Sequence, residues 1–164
     1  MISLLLLLFS IPLSGQKAVE LCAPCHAGQA AEFKKHKHFS KNISCDACHG
    51  PSKEHAEAAG AIAPEKVAGP AEQPDTCGAC HAAQANEYKE SEHGRLVLAR
   101  AKQKGPYCTT CHSNHAARPP AAIERQCKRC HPSLPQACQT APESASARVS
   151  CANCHGKHTM LARK

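Results

Sequence analysis

A chain of 164 residues with a net charge of +7, 13 cysteines, 12 histidines and 3% aromatic residues is far from an ordinary globular composition. From Gln16 onward Leu, Ile, Val and Phe supply roughly one residue in ten, too few to close a core of their own. The basic balance comes without aromatic interleaving and without a nucleic-acid motif, so nothing in it points to nucleic acid as a partner.

Residues 1–16 read as a signal peptide. Met1 to Pro12 is apolar apart from Ser3 and Ser10, and it is too short for a span of about 20 residues. No Lys or Arg precedes the run, an atypical feature for a leader. Cleavage is expected near Gly15 or Ala18. Residues 17–164 then form a single unit with no stable membrane span.

From residue 22 onward one five-residue pattern recurs six times: CAPCH at 22–26, CDACH at 45–49, CGACH at 77–81, CTTCH at 108–112, CKRCH at 127–131 and CANCH at 151–155. On one helical turn, positions i, i+3 and i+4 share a face. Two cysteines so placed can form thioethers with one porphyrin, and the next histidine reaches its iron, which is the attachment signature of c-type haem. A zinc ribbon needs only Cys-x-x-Cys and gives no reason for histidine to follow each time. The expected cofactors are six covalently attached haem c groups. Their attachment residues are Cys22, Cys25, Cys45, Cys48, Cys77, Cys80, Cys108, Cys111, Cys127, Cys130, Cys151 and Cys154. Their proximal iron ligands are His26, His49, His81, His112, His131 and His155. Haem propionates, about twelve in all, would turn the reduced holoprotein net negative.

The spacing divides the chain into three dihaem modules, about 17–55, 77–115 and 127–158. The interval from His26 to His38 equals that from His81 to His93, and EFKKHKH at 32–38 aligns with EYKESEH at 87–93. Ala27 to His38 and Ala82 to Lys104 are expected to be helical, the second helix stopping at Gly105-Pro106. Each of these modules closes with a second motif and a trailing histidine, His55 and His115. The third module is degenerate: Glu143 stands where the helical histidine should be, and Cys138 replaces the aromatic residue. Cys138 reads either as a small apolar filler or as a thiol that pairs between chains. Its closing motif survives and leads to His158. An Ala/Gly/Pro-rich stretch at 56–75 joins the first two modules, and 132–150 reads as a loop.

Six histidines lie outside the motifs: His36, His38, His55, His93, His115 and His158. Their number equals the number of vacant distal positions, which suggests bis-histidine ligation throughout. A histidine three residues after a proximal one, such as His115, cannot reach the far face of the same haem and is expected to serve a neighbour. His36 is surplus in the repeat alignment, because Ser91 stands at its place. It is therefore matched to the haem of Cys127, Cys130 and His131, within the chain or between chains. Met160 reads as a terminal contact rather than a ligand.

The pattern CxxCH–(E-aromatic-x4-H)–CxxCHGPxxxH over 22–115 resembles the tetrahaem cytochrome c-554, hydroxylamine-oxidoreductase-related and flavocytochrome tetrahaem-domain group of multihaem cytochromes c. It is also similar to the repeats of decahaem outer-membrane conduits. From Cys127 onward only the haem motifs match. The resemblance implies electron transfer along near-touching haems, in a periplasm or outside a prokaryotic cell, between redox partner proteins.

The fold expected is mainly α with much irregular coil, a small multihaem cytochrome built around a haem stack, with no significant β-sheet. The expected function is a non-enzymatic electron carrier. The alternatives are a reductase or oxidase of a small nitrogen or sulfur compound at one open haem, and a subunit of a homo-oligomer or filament.

Overall fold

The computed structural model describes residues 15–99, 105–133 and 151–160. The leader, Cys138 and Glu143 lie outside the described residues. Helices α1 (Gly15–Cys22), α2 (Ala27–Phe33), α3 (Lys37–Ser40), α4 (Cys45–His49) and α5 (Lys53–Glu57) build the first module. The second holds α6 (Gln73–Gly78), α7 (Ala82–Glu90), α8 (Glu92–Leu98) and α9 (Cys108–His112). The third holds α10 (Pro120–Cys130) and α11 (Cys151–His155). The chain is mainly helical, and among the described residues there is no strand.

The six motifs fall into two local geometries. In the opening motif of each module the histidine lies just past or between helices, at φ −114 and ψ 46 for His26, −111 and 51 for His81, and −115 and 69 for His131. Its backbone N–H donates to the carbonyl of the first cysteine at 3.0, 2.9 and 2.9 Å in turn, which closes one helical turn under the motif. In the closing motifs Cys45–His49, Cys108–His112 and Cys151–His155, the five residues are themselves the helix. The residue after each closing histidine turns left-handed: Gly50 at φ 71, Ser113 at φ 65 and Gly156 at φ 75. Glycine takes this conformation without strain and serine does not. The third module shares both geometries, although its sequence between the motifs has diverged.

The long helices expected from composition are broken at one homologous point. Ala82 to Lys104 is interrupted at Ser91, in extended conformation at ψ 160. The Ser91 hydroxyl donates to the Tyr88 carbonyl at 2.6 Å and accepts the Gly94 N–H at 3.0 Å. Residues 100–104, the expected end of that helix, lie outside the described residues. In the first repeat the helix from Ala27 ends at Phe33, and His36, at ψ 147, starts the next one. Side-chain oxygens and nitrogens that satisfy the exposed N–H groups of a helix start outweigh the helix propensity of the flanking Ala, Glu and Lys.

The polypeptide core is small. Val19, Ala30 and Phe33 are buried together, with Ala23, Phe39 and Cys45 packed against them. In the second module Ala85, Tyr88 and Val97 are buried, and the Tyr88 hydroxyl donates to the Pro106 carbonyl at 3.0 Å. Phe33 and Tyr88, the aligned aromatic residues, thus fill equivalent places in the packing. So little buried apolar area cannot by itself offset the chain entropy of folding.

Candidate functional site

Each helical histidine is carried on a short capped helix. His38 is the second residue of α3 and His93 the second residue of α8. The caps occupy aligned positions. The His36 Nδ1 accepts the His38 N–H at 3.0 Å, as the Ser91 hydroxyl accepts that of Gly94. A Cβ at Gly94 would run into the Tyr88 carbonyl, so the break that aims His93 requires glycine there.

The histidines come together in pairs. His26 faces His55 with ring centres 6.0 Å apart, and His38 faces His81 at 6.0 Å. His49 faces His115 at 6.2 Å, His93 faces His131 at 6.1 Å, and His112 faces His158 at 5.9 Å. Interplanar angles run from 20° to 38°. Metal–imidazole bonds are about 2 Å long, so two imidazoles sharing one iron from opposite sides hold their ring centres roughly 6 Å apart. The fit to that spacing is close in all five pairs. Each pair also joins one motif histidine to one histidine outside the motifs, a selection that chance contact would not make.

Hydrogen-bond direction separates these rings from His36. The His55 Nδ1 lies 2.6 Å from the Ile62 carbonyl and the His49 Nδ1 3.0 Å from the Lys66 carbonyl. A carbonyl only accepts, so in both rings Nδ1 carries the proton and Nε2 keeps its lone pair. This is how metal-ligating histidines are usually oriented from behind. The Glu87 carboxylate stands 3.6 Å from the His158 Nδ1, beyond hydrogen-bond distance. His36 is the reverse. Its Nδ1 accepts a backbone N–H, which places the proton of the neutral ring on Nε2 and leaves no lone pair there for a metal.

Burial is the first cause holding His38, His93, His112 and His115 below the ordinary histidine range. The facing imidazole adds to the effect in each case: His81 for His38, His131 for His93, His158 for His112 and His49 for His115. The rings are therefore kept neutral, the form that donates to a metal.

The cysteines follow one another through the structure in chain order. The Cys45 thiol hydrogen-bonds Cys22, and burial first, then that neighbour, push it up to about 11. Burial raises Cys48, with Cys77 beside it. A hydrogen bond from Cys108 brings Cys77 down to about 7 and raises Cys108 itself. Burial raises Cys111, with Cys127 and Cys130 close by. The Glu124 carboxylate, burial and the neighbouring Cys127 push Cys151 up to about 11. Two side chains brace these junctions: Gln73 Oε1 accepts the Thr109 N–H at 3.1 Å, and Glu124 Oε1 accepts the Cys151 N–H at 2.6 Å. The described cysteines form no disulfide. Among the described residues no three His, Cys, Asp or Glu side chains converge as a zinc site requires.

Residues 65–132 match the family described as cytochrome c7 and related cytochrome c. The match covers less than half of the chain. It spans the third, fourth and fifth motifs, and it supports a multihaem c-type cytochrome with covalently bound haem c and an electron-transfer role. No curated protein and no solved structure matches the chain. No helix among the described residues is long and apolar enough to cross a membrane.

The structure brings ten of the twelve histidines into facing pairs, and two remain outside them. His36, expected to serve the haem of His131, lies instead against Phe33 and His38, with ring centres 5.9 and 4.6 Å away. His93 takes the place opposite His131. The physical reason is the cap: His36 is tied by Nδ1 to the start of α3. The other histidine outside the pairs is His155. The exchange between modules is not apparent from the sequence, since His38 faces into the second module and His93 into the third.

Proposed function

We propose that the chain carries six haem c groups in one linear series and passes electrons along it between redox partner proteins. The observation that carries this reading is the set of five histidine pairs near 6 Å. The residues fit the group: the donor set is neutral imidazole, one from a motif and one from outside it, with cysteines at each site. Haem iron bound there supplies a reversible one-electron couple whose potential is set by its axial ligands, hydrogen bonds and exposure.

The chain's own residues then have distinct roles. The twelve motif cysteines anchor the groups, and their sulfurs in the attached form are thioethers that no longer titrate. His26 and His55 hold the first site, His49 and His115 the second, His81 and His38 the third. His112 and His158 hold the fourth, and His131 and His93 the fifth. His155 is the proximal ligand of the sixth. The carbonyls of Ile62 and Lys66 orient the rings of His55 and His49 behind the metal and raise their basicity, which favours low potentials. The cysteine contacts from Cys22 through Cys151 support a one-dimensional order that follows the sequence.

Export is part of the proposal. It rests on the apolar run at 1–16 and on the attachment of haem c outside the cytoplasm in prokaryotes. The mature part, 17–164, works as one unit of three dihaem modules, because ligands cross between them.

Intact-mass measurement of the matured holoprotein tests the reading. The expected result is the cleaved chain plus six haem masses. Four or fewer in a fully matured sample rejects it.

A further inference from the structure

Arg118 stands three residues after the trailing histidine of the second module. The same place after His55 and His158 is held by Ala58 and Leu161, so the cation belongs to this module alone. Pro119 and Pro120 follow it and open α10, and their fixed φ restrains the backbone from which it projects. Its half-buried side chain returns to the fourth motif. One guanidinium nitrogen, Nη1, donates to the Thr110 carbonyl at 2.5 Å and to the Cys111 carbonyl at 3.1 Å. Both acceptors are neutral, so these bonds fix the positive charge beside the motif without cancelling it.

The charge is felt at the site. Burial first, then the facing His158, His81 and Arg118 hold His112 below the ordinary histidine range. Burial raises Cys111, and Arg118 opposes it. The neighbouring motifs are set differently. Asp75, two residues before Cys77, pairs with Lys89 at 2.6 Å and leaves the third motif beside a neutral pair. At Cys48 in the second motif, Lys66 and Asp46 act in opposite directions. Lys128 and Arg129 of the fifth motif are exposed, where water and salt screen them.

Resting on the electron-transfer reading above, we infer that Arg118 is a fixed charge that raises the potential of the haem on Cys108, Cys111 and His112 above that of the haem on Cys77, Cys80 and His81, and so sets the direction of electron flow within the second module. Oxidation adds one positive charge at the iron, and a fixed cation beside it disfavours that form. The proposed axial ligands are two imidazoles at both positions, so ligand type does not separate the two potentials and local charge does. Electrons then run from the third position to the fourth one at a time, ferrous iron at the third being oxidised as ferric iron at the fourth is reduced. Arg118 touches no reacting atom. It is a positioning residue that acts through its field. Both motifs and Arg118 lie within residues 65–132, the part that matches the cytochrome c7 family.

The test is a redox titration of the matured holoprotein followed by visible and paramagnetic spectra, with the haem count of each sample fixed by mass. Arg118→Gln, which keeps an amide donor and loses the charge, should lower one haem potential more than the rest. Arg118→Lys, which keeps the charge, should restore it. In the variant Cys108→Ala/Cys111→Ala, which lacks the fourth haem, Arg118→Gln should produce no comparable shift. That variant alone should remove a component of higher potential than the one removed by Cys77→Ala/Cys80→Ala, which keeps the test open if Arg118→Gln does not mature. Unchanged potentials in Arg118→Gln overturn the inference. So does an equal fall in Arg118→Gln and Arg118→Lys, which would make Arg118 a structural cap of α9 only. A shift that survives without the fourth haem, or the reverse order of the two removed components, also overturns it. A wild-type protein without covalent haem at Cys77 and Cys80 or at Cys108 and Cys111 overturns the underlying reading instead.

Discussion

His36 and Ser91 stand at the same place in two repeats and cap the same kind of helix. Each accepts a backbone N–H at the start of the short helix that carries His38 or His93. One is an imidazole and the other a hydroxyl, and the backbone is extended at both, with ψ at 147 and 160. The shared geometry makes His36 a cap of α3, as Ser91 is of α8.

The first prediction follows directly. His36→Ser should leave the visible and paramagnetic spectra unchanged and keep stability close to wild type. His36→Ala should also leave the spectra unchanged but lower stability by about 1 kcal/mol, the usual cost of losing a cap. Denaturant unfolding of the holoprotein alongside its spectrum checks both. A new high-spin haem in either variant would restore His36 as a ligand.

His93→Ala acts on a different haem from the one its own helix follows. Under the proposed ligation it opens the haem of His131, not that of His81. One additional high-spin centre should appear and its potential should rise, because a strong basic ligand is lost. Combining it with Cys127→Ala/Cys130→Ala should abolish the extra signal. Persistence of the signal in that combination would assign His93 elsewhere.

At Gly94 an added Cβ meets the Tyr88 carbonyl and the Lys89 backbone. Both are main-chain groups that cannot swing aside. Gly94→Ala should destabilise the holoprotein by roughly 2 kcal/mol or more and loosen the His93 ligation with it. A melting temperature equal to wild type would show that α7 and α8 meet at a softer angle.

Ser113 takes φ 65 and ψ 176, a region that is nearly confined to glycine. Glycine already stands at the corresponding positions, Gly50 and Gly156. Ser113→Gly should therefore stabilise the protein by about 1 kcal/mol, the relieved strain exceeding the added chain entropy. A loss of stability in denaturant unfolding would mean that the serine side chain makes a contact outweighing its backbone strain.

The motifs were legible in the sequence because haem attachment is a local requirement, written in five consecutive residues. The repeat alignment was legible for the same reason, and so was the mainly helical class. The break at Ser91 was signalled, since serine at a helix start is a common cap, but the Ala, Glu and Lys around it read as continuous helix. That serine also carried the clue to His36, its aligned residue. The partners of the distal histidines were not legible. His38 and His81, or His49 and His115, are far apart in sequence, and only the folded path of residues 56–75 and of Tyr107 to Arg118 brings them together. The reversed hydrogen bond at His36 is signalled only through that alignment, since histidine is not among the usual caps.

The crossed pairing of His38 with His81 and of His49 with His115 has a consequence for how such a chain can change length. A cut anywhere in residues 56–75 would leave each half short of one imidazole, so the first module is not a smaller copy of the whole. Addition behaves differently. A further duplicated module at the C-terminal end would bring its own trailing histidine to His155 and disturb nothing before it. The pairing rule is thus also a rule of growth, although a new opening histidine would find Glu143 where the helical histidine of the module before it should stand.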